Sequence, residues 1–382
     1  MPSPAFDDIR ELAQWRPALG VISVYLRLDP GDRGAAWRTE LRNGMARVLD
    51  DAKGLDHETR TALRATVKRI AARFADQDRR RLPRGEVGFV ELSPEPASER
   101  WWSTHLSPRS AASVYFAEGP VVAPLIFLVE RGAPRGVAIL SAERVRLLEW
   151  APGSIDELHS WELTLFSLDW RERKAPRITD PARSQGVSAA GREQFAERLA
   201  ENRQRFLGEC GGLAARHASE RHWPRIVVFG ASEHARSFRE GVSSPIPIEV
   251  GGESDLISEP LGRLEAPVTE AVERLDEERD RRLAERALDE ARGGIRGAAG
   301  AQETLAALDA GRVDHLVIDA ARVARPLPAP VMRGDGLEAG ETIDSESLVK
   351  RALASRARIA AVSGEAAELL APVDGVAALL RY

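Results

Sequence analysis

The sequence predicts an α/β protein built from three small domains. Short apolar runs with strand-like composition alternate along the chain with longer segments of helical periodicity. One of these runs, RIVVFGAS, is continuously apolar and ends in glycine, which is typical of a buried parallel strand. The length of 382 residues exceeds that of one ordinary domain. We therefore expect domains at 1–119, 120–262 and 263–382.

The composition is that of a globular protein, with 43% apolar and 30% charged residues. A net charge of −5 argues against a globally basic nucleic-acid binder, although a local patch can still bind phosphate. No apolar run approaches the ~20 residues that cross a bilayer, and the acidic start does not resemble a secretory signal. Cys210 is the only cysteine, so no intrachain disulfide or cysteine-based zinc site forms. We expect a cytoplasmic protein without metal or cofactor.

The first domain is predicted to combine helices with short strands. A helix over 6–16 precedes a strand over 21–30, helices follow at 35–50 and 56–81, and the segments GEVGFVEL and WWSTHL form a hairpin. Several basic residues of the third helix share one face, which either is solvated or lies against RNA. These residues are Arg60, Arg64, Lys68, Arg69, Arg73 and Arg79 to Arg81.

The second domain is predicted to open with a strand in VVAPLIFLVERG and to continue with a hairpin in GVAILSAERVRLLEW. The stretch 169–190 is rich in Arg, Pro, Ser and Gly and poor in apolar residues, so we expect a long exposed loop. A helix from about Gly191 to His217 follows, ahead of the RIVVFGAS strand.

The third domain is predicted to begin with a charged helix over 264–292, whose interleaved acids and bases indicate a solvated linker. A helix, strand, helix, strand, helix and strand then follow, and Ser345 is a candidate N-cap of the helix SESLVKRALASRA.

This domain order resembles the archaeo-eukaryotic release-factor and Pelota superfamily. The hairpin GVAILSAERVRLLEW, a long loop and the helix FAERLAENRQRFL are similar to its central domain, and DAGRVDHLVID, ARIAAVSG and VDGVAALLRY resemble its C-terminal domain. VISVYLRLDP resembles the N-terminal domain of bacterial members, closest to the actinobacterial-type branch akin to the yeast Vms protein. The resemblance implies a ribonuclease-H-like central domain and a Pelota-like α/β/α sandwich at the C-terminus.

In catalytic members of this superfamily a Gly-Gly-Gln loop hydrolyses the ester of peptidyl-tRNA. This sequence contains no Gly-Gly-Gln. One alignment places the triplet at Ser188, Ala189 and Ala190, and the other likens QGVSA to the Vms-like loop, with Val187 for a glycine and Ala189 for the glutamine. Gln185 and Gln194 remain as candidate catalytic side chains, and Gly186 and Gly191 as candidate flexible positions. The alternative is that the glutamines are solvated, Gly186 forms a turn and Gly191 starts the helix.

A cluster of basic residues surrounds the same loop, with few acids between them. It either is solvated or neutralises phosphates near the tRNA acceptor end. Its members are Arg171, Arg173, Lys174, Arg177, Arg183 and Arg192.

The resemblance implies a partner set of ribosome, ribosomal RNA and peptidyl-tRNA, with no membrane or DNA. The expected function is ribosome rescue, peptidyl-tRNA hydrolysis or translation quality control at the tRNA site. A non-catalytic hibernation factor is one alternative. An adaptor unrelated to ribosomes is another, since fold does not fix function.

Overall fold

The computed structural model describes residues 6–28, 36–75, 85–95, 97–104, 113–163, 189–323 and 343–382, and for 189–196 it describes the backbone alone. The described chain groups into two compact units. Unit 1 comprises residues 1–133 and 276–382, and unit 2 comprises 134–275. The division into three domains stays a prediction.

The N-terminal part of unit 1 is built on a four-stranded antiparallel sheet. Its strands are β1 (Val21–Arg27), β2 (Gly85–Glu91), β3 (Glu99–Thr104) and β4 (Ser113–Ala117), in the order β3-β2-β1-β4. The β2–β3 hairpin confirms the sequence prediction, with Val87 opposite Trp102. The strand β4 was not predicted from the sequence.

Two helices, α2 (Ala36–Asp51) and α3 (His57–Arg73), cover one face of this sheet. The core there joins Ile22, Val24 and Leu26 of β1 to Leu63 and Ile70 of α3. Asp56 caps α3, because its carboxylate accepts a hydrogen bond from the backbone N–H of Thr59 at 2.9 Å.

The opposite face packs on α1 (Phe6–Gln14) and on α4 (Ala123–Gly132). The helix α4 corrects the prediction of a strand in VVAPLIFLVERG. Leu125, Ile126, Phe127 and Leu128 are all buried, so this apolar run covers every side of the helix and shows no helical periodicity to detect. Pro124 lies in its first turn, where a missing N–H is tolerated.

The C-terminal part of unit 1 contains a second four-stranded sheet in the order β10-β13-β11-β12. Its strands are β10 (Gly297–Ala299), β11 (Val313–Asp319), β12 (Arg358–Val362) and β13 (Val376–Leu380). Only β11 and β12 are parallel. The helices that accompany them are α8 (Ala301–Asp309), α9 (Ala320–Val323), α10 (Ser345–Ala354) and α11 (Glu365–Leu370).

One hydrophobic core joins the two parts of unit 1. It contains Val21 and Phe89 from the first sheet, Leu125 from α4, and Leu316 and Leu348 from the C-terminal part. The helix α4 contacts α1, α10 and β12. Burial of this one helix therefore holds the two parts of the unit together.

A buried carboxylate completes the N-terminus of α4. Glu346 of α10 accepts hydrogen bonds from the backbone N–H groups of Val122 and Ala123, both at 2.8 Å. These are donors that an α-helix cannot satisfy itself. The side chain of Lys350 balances the charge at 3.1 Å.

The N-cap of α10 is Asp344, which corrects the prediction of Ser345. The Asp344 carboxylate accepts from the backbone N–H of Ser347 at 2.6 Å. The hydroxyl of Ser345 donates to the carbonyl of Arg322 at 3.0 Å instead.

The helix α7 (Leu261–Arg292) corrects the prediction of a solvated linker. Leu264, Val268 and Val272 are buried in a core of unit 2, and Ala284 and Ala287 are buried in a core of unit 1. Two acids of the same helix, Asp276 and Asp280, are also buried. The charge pattern masked these short apolar stripes.

Buried charges of α4 and α7 form an ionic network in unit 1. The guanidinium of Arg131 pairs with Asp276 at 3.4 Å and with Asp280. The carboxylate of Glu130 pairs with Arg279 at 3.5 Å and accepts from the backbone N–H of Ala361 at 2.9 Å. Burial raises the pKa of Glu130 to about 7.

Unit 2 contains a five-stranded sheet in the order β7-β6-β5-β8-β9. Its strands are β5 (Arg135–Leu140), β6 (Arg144–Ala151), β7 (Ser154–Glu162), β8 (Ile226–Phe229) and β9 (Ile248–Gly252). The first three are antiparallel and the last two run parallel to β5. This is the ribonuclease-H-like arrangement that the resemblance implied, and it confirms the hairpin and the parallel RIVVFGAS strand.

Helices lie on both faces of this sheet. Residues of α5 (Ala189–Glu220) and α6 (Ser232–Glu240), including Leu207, Ala214 and Phe238, pack on one face. The first half of α7 packs on the other.

Replacement of Glu346 by alanine is expected to destabilise the protein by about 2–4 kcal/mol, because it leaves two buried N–H groups without an acceptor. Urea unfolding measures the effect. The exposed Glu368 of α11 provides a control, and Glu368→Ala is expected to change stability by less than about 0.5 kcal/mol. Equal effects of both substitutions would contradict the capping role.

Glu130 is expected to make stability depend on pH. Since burial raises its folded pKa above the ordinary 4.5, the linked stability is present below pH 4.5 and is lost as pH rises through 7. The loss amounts to about 3 kcal/mol. Glu130→Gln is expected to remove most of this fall between pH 5 and 8, as measured by urea unfolding. A variant whose stability falls as steeply as that of the wild type would refute this assignment.

Candidate functional site

The candidate site is the end of unit 2 at which the segment 164–188 leaves β7. Glu162, the last residue of β7, lies opposite Arg144 of β6, and their side chains pair at 3.4 Å. Arg144 also donates to the hydroxyl of Ser160 at 3.2 Å. The backbone N–H of Leu163 donates to the carbonyl of Glu143 at 2.8 Å. The turn between β5 and β6 thus fixes the point where the segment begins.

The same turn also holds α5, on which the segment ends. Arg203 of α5 forms an ion pair with Glu143, and Arg221, beyond its other end, pairs with Glu149 of β6 at 3.1 Å. The helix therefore runs along β6, and from Glu197 onward its first buried residue is Leu207. From Ala189 to Arg203 it extends about 20 Å beyond this contact.

Contact between glycines fixes α5 against α6. A Cβ at Gly211 would lie 2.0 Å from the carbonyl oxygen of Phe238, and a Cβ at Gly241 would lie 1.8 Å from that of Gly208. The two helix backbones thus approach so closely that no side chain fits between them. The stretch GECGG of α5 contains Gly208, Gly211 and Gly212. The spacing of its glycines on one helix face was the signal for this contact.

We call β6, β7, the β5–β6 turn and α5 the stem, and several of its charged groups pair with one another. Glu157 of β7 accepts a two-point contact from Arg146, which lowers the pKa of the Glu157 carboxyl. The ring of His217 lies 4.5 Å from that of His159, and partial burial lowers the pKa of His217. Among the described residues no group of three or more His, Cys, Asp or Glu side chains is placed to hold a metal ion.

The single thiol lies inside this scaffold. Cys210 is 2% exposed, and burial raises the pKa of its thiol to about 12. A thiol with such a pKa is neutral near pH 7 and is therefore a poor nucleophile.

Most of the site residues predicted from the sequence lie outside the described residues. These are Gln185 and Gly186 together with Arg171, Arg173, Lys174, Arg177 and Arg183. The backbone of Gly191, Arg192 and Gln194 belongs to the first turns of α5, which starts two residues before the predicted Gly191. Their roles stay predictions.

The fold and the stem define a mixed α/β protein with a ribonuclease-H-like unit that holds a long segment at one end. Residues 120–279 match the sequence model of bacterial archaeo-eukaryotic release factor family 10. This region of the chain is therefore similar to the bacterial branch of the archaeo-eukaryotic release factors. No curated protein matches the chain.

Several solved structures resemble the chain over much of its length. An archaeal translation termination factor is 19% identical, with a TM-score of 0.26 over 99% of each chain. Pelota from Archaeoglobus fulgidus is 13% identical, with a TM-score of 0.32 over 100% of this chain and 94% of that chain. Dom34 from S. cerevisiae is 9% identical, with a TM-score of 0.41 over 78% and 80%. Because these scores lie below 0.5, the similarity to release factors rests on residues 120–279.

Within the described part of the chain, every helix is too short or too polar to span a bilayer.

The contact between α5 and α6 is expected to tolerate alanine at Gly208 but not at Gly211. A Cβ at Gly208 meets atoms no closer than 3.7 Å, whereas one at Gly211 overlaps the carbonyl of Phe238. We expect Gly211→Ala to destabilise unit 2 by about 1–3 kcal/mol and Gly208→Ala to stay within about 1 kcal/mol of the wild type.

The rate at which a thiol reagent labels Cys210 measures this effect, since labelling requires the packing around α5 to open. Gly211→Ala should label faster than the wild type, and Gly208→Ala should not. The same slow rate in all three proteins would show that the glycine contact does not hold α5.

Proposed function

We propose that this protein binds the ribosome at the tRNA site and acts there on peptidyl-tRNA, in ribosome rescue or translation quality control. The family match of residues 120–279 is the observation that supports this function most. The matched region includes β6, β7 and α5, which hold the segment 164–188. In catalytic relatives the corresponding loop performs ester hydrolysis. In this chain the candidate residues of that loop are Gln185 and Gln194.

The physical basis is positioning of a water molecule. A glutamine amide orients the water toward the ester carbonyl, and nearby donors stabilise the negative charge that develops on the carbonyl oxygen. The ester bond then breaks, the peptide leaves as a carboxylic acid, and the tRNA regains its hydroxyl. The helix α5 extends about 20 Å beyond its anchor at Arg203, which suits a recessed substrate. Arg171, Arg173, Lys174, Arg177, Arg183 and Arg192 are our candidates for contacts with tRNA phosphates.

A second function is occupancy of the same site without catalysis, as in a hibernation factor. The observation that favours it is the absence of Gly-Gly-Gln from the 382 residues. Both functions place the protein on the ribosome, and they differ in whether peptide is released.

Peptide release from purified stalled ribosomes separates the two functions. Under the first, wild-type protein releases labelled peptide, and Gln185→Ala or Gln194→Ala lowers the rate by about 100-fold while binding persists. Gln204→Ala is the matched control, because Gln204 lies on the same helix and its amide contacts Glu240 at 3.3 Å. It should release peptide at the wild-type rate.

Binding without release in every variant would assign the occupancy function instead. A protein that never sediments with ribosomes would exclude both functions and leave an adaptor unrelated to ribosomes.

A further inference from the structure

The four strands of the C-terminal sheet present arginines at one edge. Arg296 precedes β10, Arg312 precedes β11, Arg356 and Arg358 flank the start of β12, and Arg381 follows β13. The register aligns these ends, since Gly297 lies opposite Leu379, Val313 opposite Leu380 and His315 opposite Arg358. At the usual strand spacing the row is about 15 Å wide. We call these five residues the arginine rim.

The rim is exposed and has few carboxylates to neutralise it. All five arginines are exposed. The side chains of Arg296, Arg312 and Arg356 form no hydrogen bond or ion pair with another described residue. Arg381 instead donates to the carbonyls of Gly311 and Ser355, at 3.2 and 3.0 Å, and so joins the ends of neighbouring strands. Among the described residues at these strand ends, Asp314 of β11 is the one acid. Its carboxylate contacts the ring of His315 at 2.8 Å.

Exposed apolar groups lie at the same edge. Ile295 is 74% exposed and Tyr382 is 70% exposed, next to Arg296 and Arg381 respectively. Unpaired guanidinium groups match the oxygens of phosphate, and an accessible aromatic ring can stack on a base. Sites for single-stranded nucleic acid combine these two features.

The backbone at Arg356 supports a role other than folding. Arg356 has a φ of +57°, and the hydrogen bonds Arg356 N–H to Leu353 and Ala357 N–H to Ala352 close the end of α10. The helix α8 ends in the same way at Gly311, with a φ of +66°. Glycine adopts this conformation without the steric strain that any other residue suffers. Folding alone would therefore favour glycine at position 356.

We propose that the arginine rim binds the phosphate backbone of single-stranded RNA. Three arginines that have no partner among the described residues supply positive charge, Arg381 holds the strand ends in place, and Tyr382 offers a ring to a base. This surface belongs to unit 1 and includes no residue of the segment 164–188. Under the proposed function, this RNA is ribosomal. The inference rests on the proposed function only for the source of the RNA.

The test uses the full chain and a fluorescent oligouridine of about 12 nucleotides, with affinity measured by anisotropy over a range of KCl concentrations. Replacing Arg296, Arg312 and Arg356 together by glutamine should weaken binding about tenfold or more and lower the salt slope by about two, at ~0.7 per phosphate. Replacing the exposed Arg282, Arg286 and Arg292 of α7 removes the same charge and is the matched control. It should change affinity by less than about twofold.

Arg356→Gly separates binding from folding. It relieves the strained backbone, so its melting temperature should equal or exceed that of the wild type while its RNA affinity falls. Wild-type affinity in this variant and in the triple variant would overturn the proposal. So would binding of a polyglutamate peptide without binding of RNA, which would assign the rim to an acidic protein. The assay contains no ribosome, so its failure is distinct from a failure to bind ribosomes.

Discussion

The structure of unit 1 depends on the burial of α4. Four successive apolar residues, Leu125 to Leu128, cover every side of this helix and must be buried, and α1, α10 and β12 each cover part of it. Such burial leaves its first N–H groups away from water, where an unpaired donor is strongly unfavourable. Glu346 of α10 supplies both acceptors from a position more than 200 residues further along the chain. One interaction therefore joins the N-terminal and C-terminal parts of unit 1.

In unit 2, a small number of residues hold the two ends of the long polar segment 164–188. The β5–β6 turn binds the start of the segment through the carbonyl of Glu143, and it binds the returning helix through the Glu143 carboxylate. Gly211 of α5 and Gly241 at the C-cap of α6 bring the two helices into backbone contact and thereby fix α5 at this point. We therefore expect that only substitutions of exposed side chains in the stem leave this scaffold undisturbed.

Much of this architecture was predictable because its strands have clear sequence patterns. The alternation in GVAILSAERVRLLEW and the continuous run RIVVFGAS gave the antiparallel and parallel strands of unit 2. Two kinds of element were missed or misassigned. Periodicity cannot distinguish a fully buried helix from a buried strand, as α4 shows, and abundant surface charge concealed the narrow apolar stripes of α7.

The candidate site was less predictable than the fold. Helix glycines that permit close packing look the same in a sequence as glycines that weaken a helix, and only the position of Phe238 distinguishes them. The cap of α10 shows a similar ambiguity. Asp344 and Ser345 are adjacent, and both residue types are good N-caps. The choice between them depends on where the helix starts, to within one residue.

The buried Cys210 has a practical consequence for spectroscopy. The single native thiol is shielded from solvent and is neutral at the pH of ordinary labelling reactions. A cysteine introduced at an exposed position, such as Arg198 on the first turns of α5, would therefore accept a fluorophore or spin label selectively in the otherwise native chain. The orientation and movement of that helix tip then become measurable without a cysteine-free background.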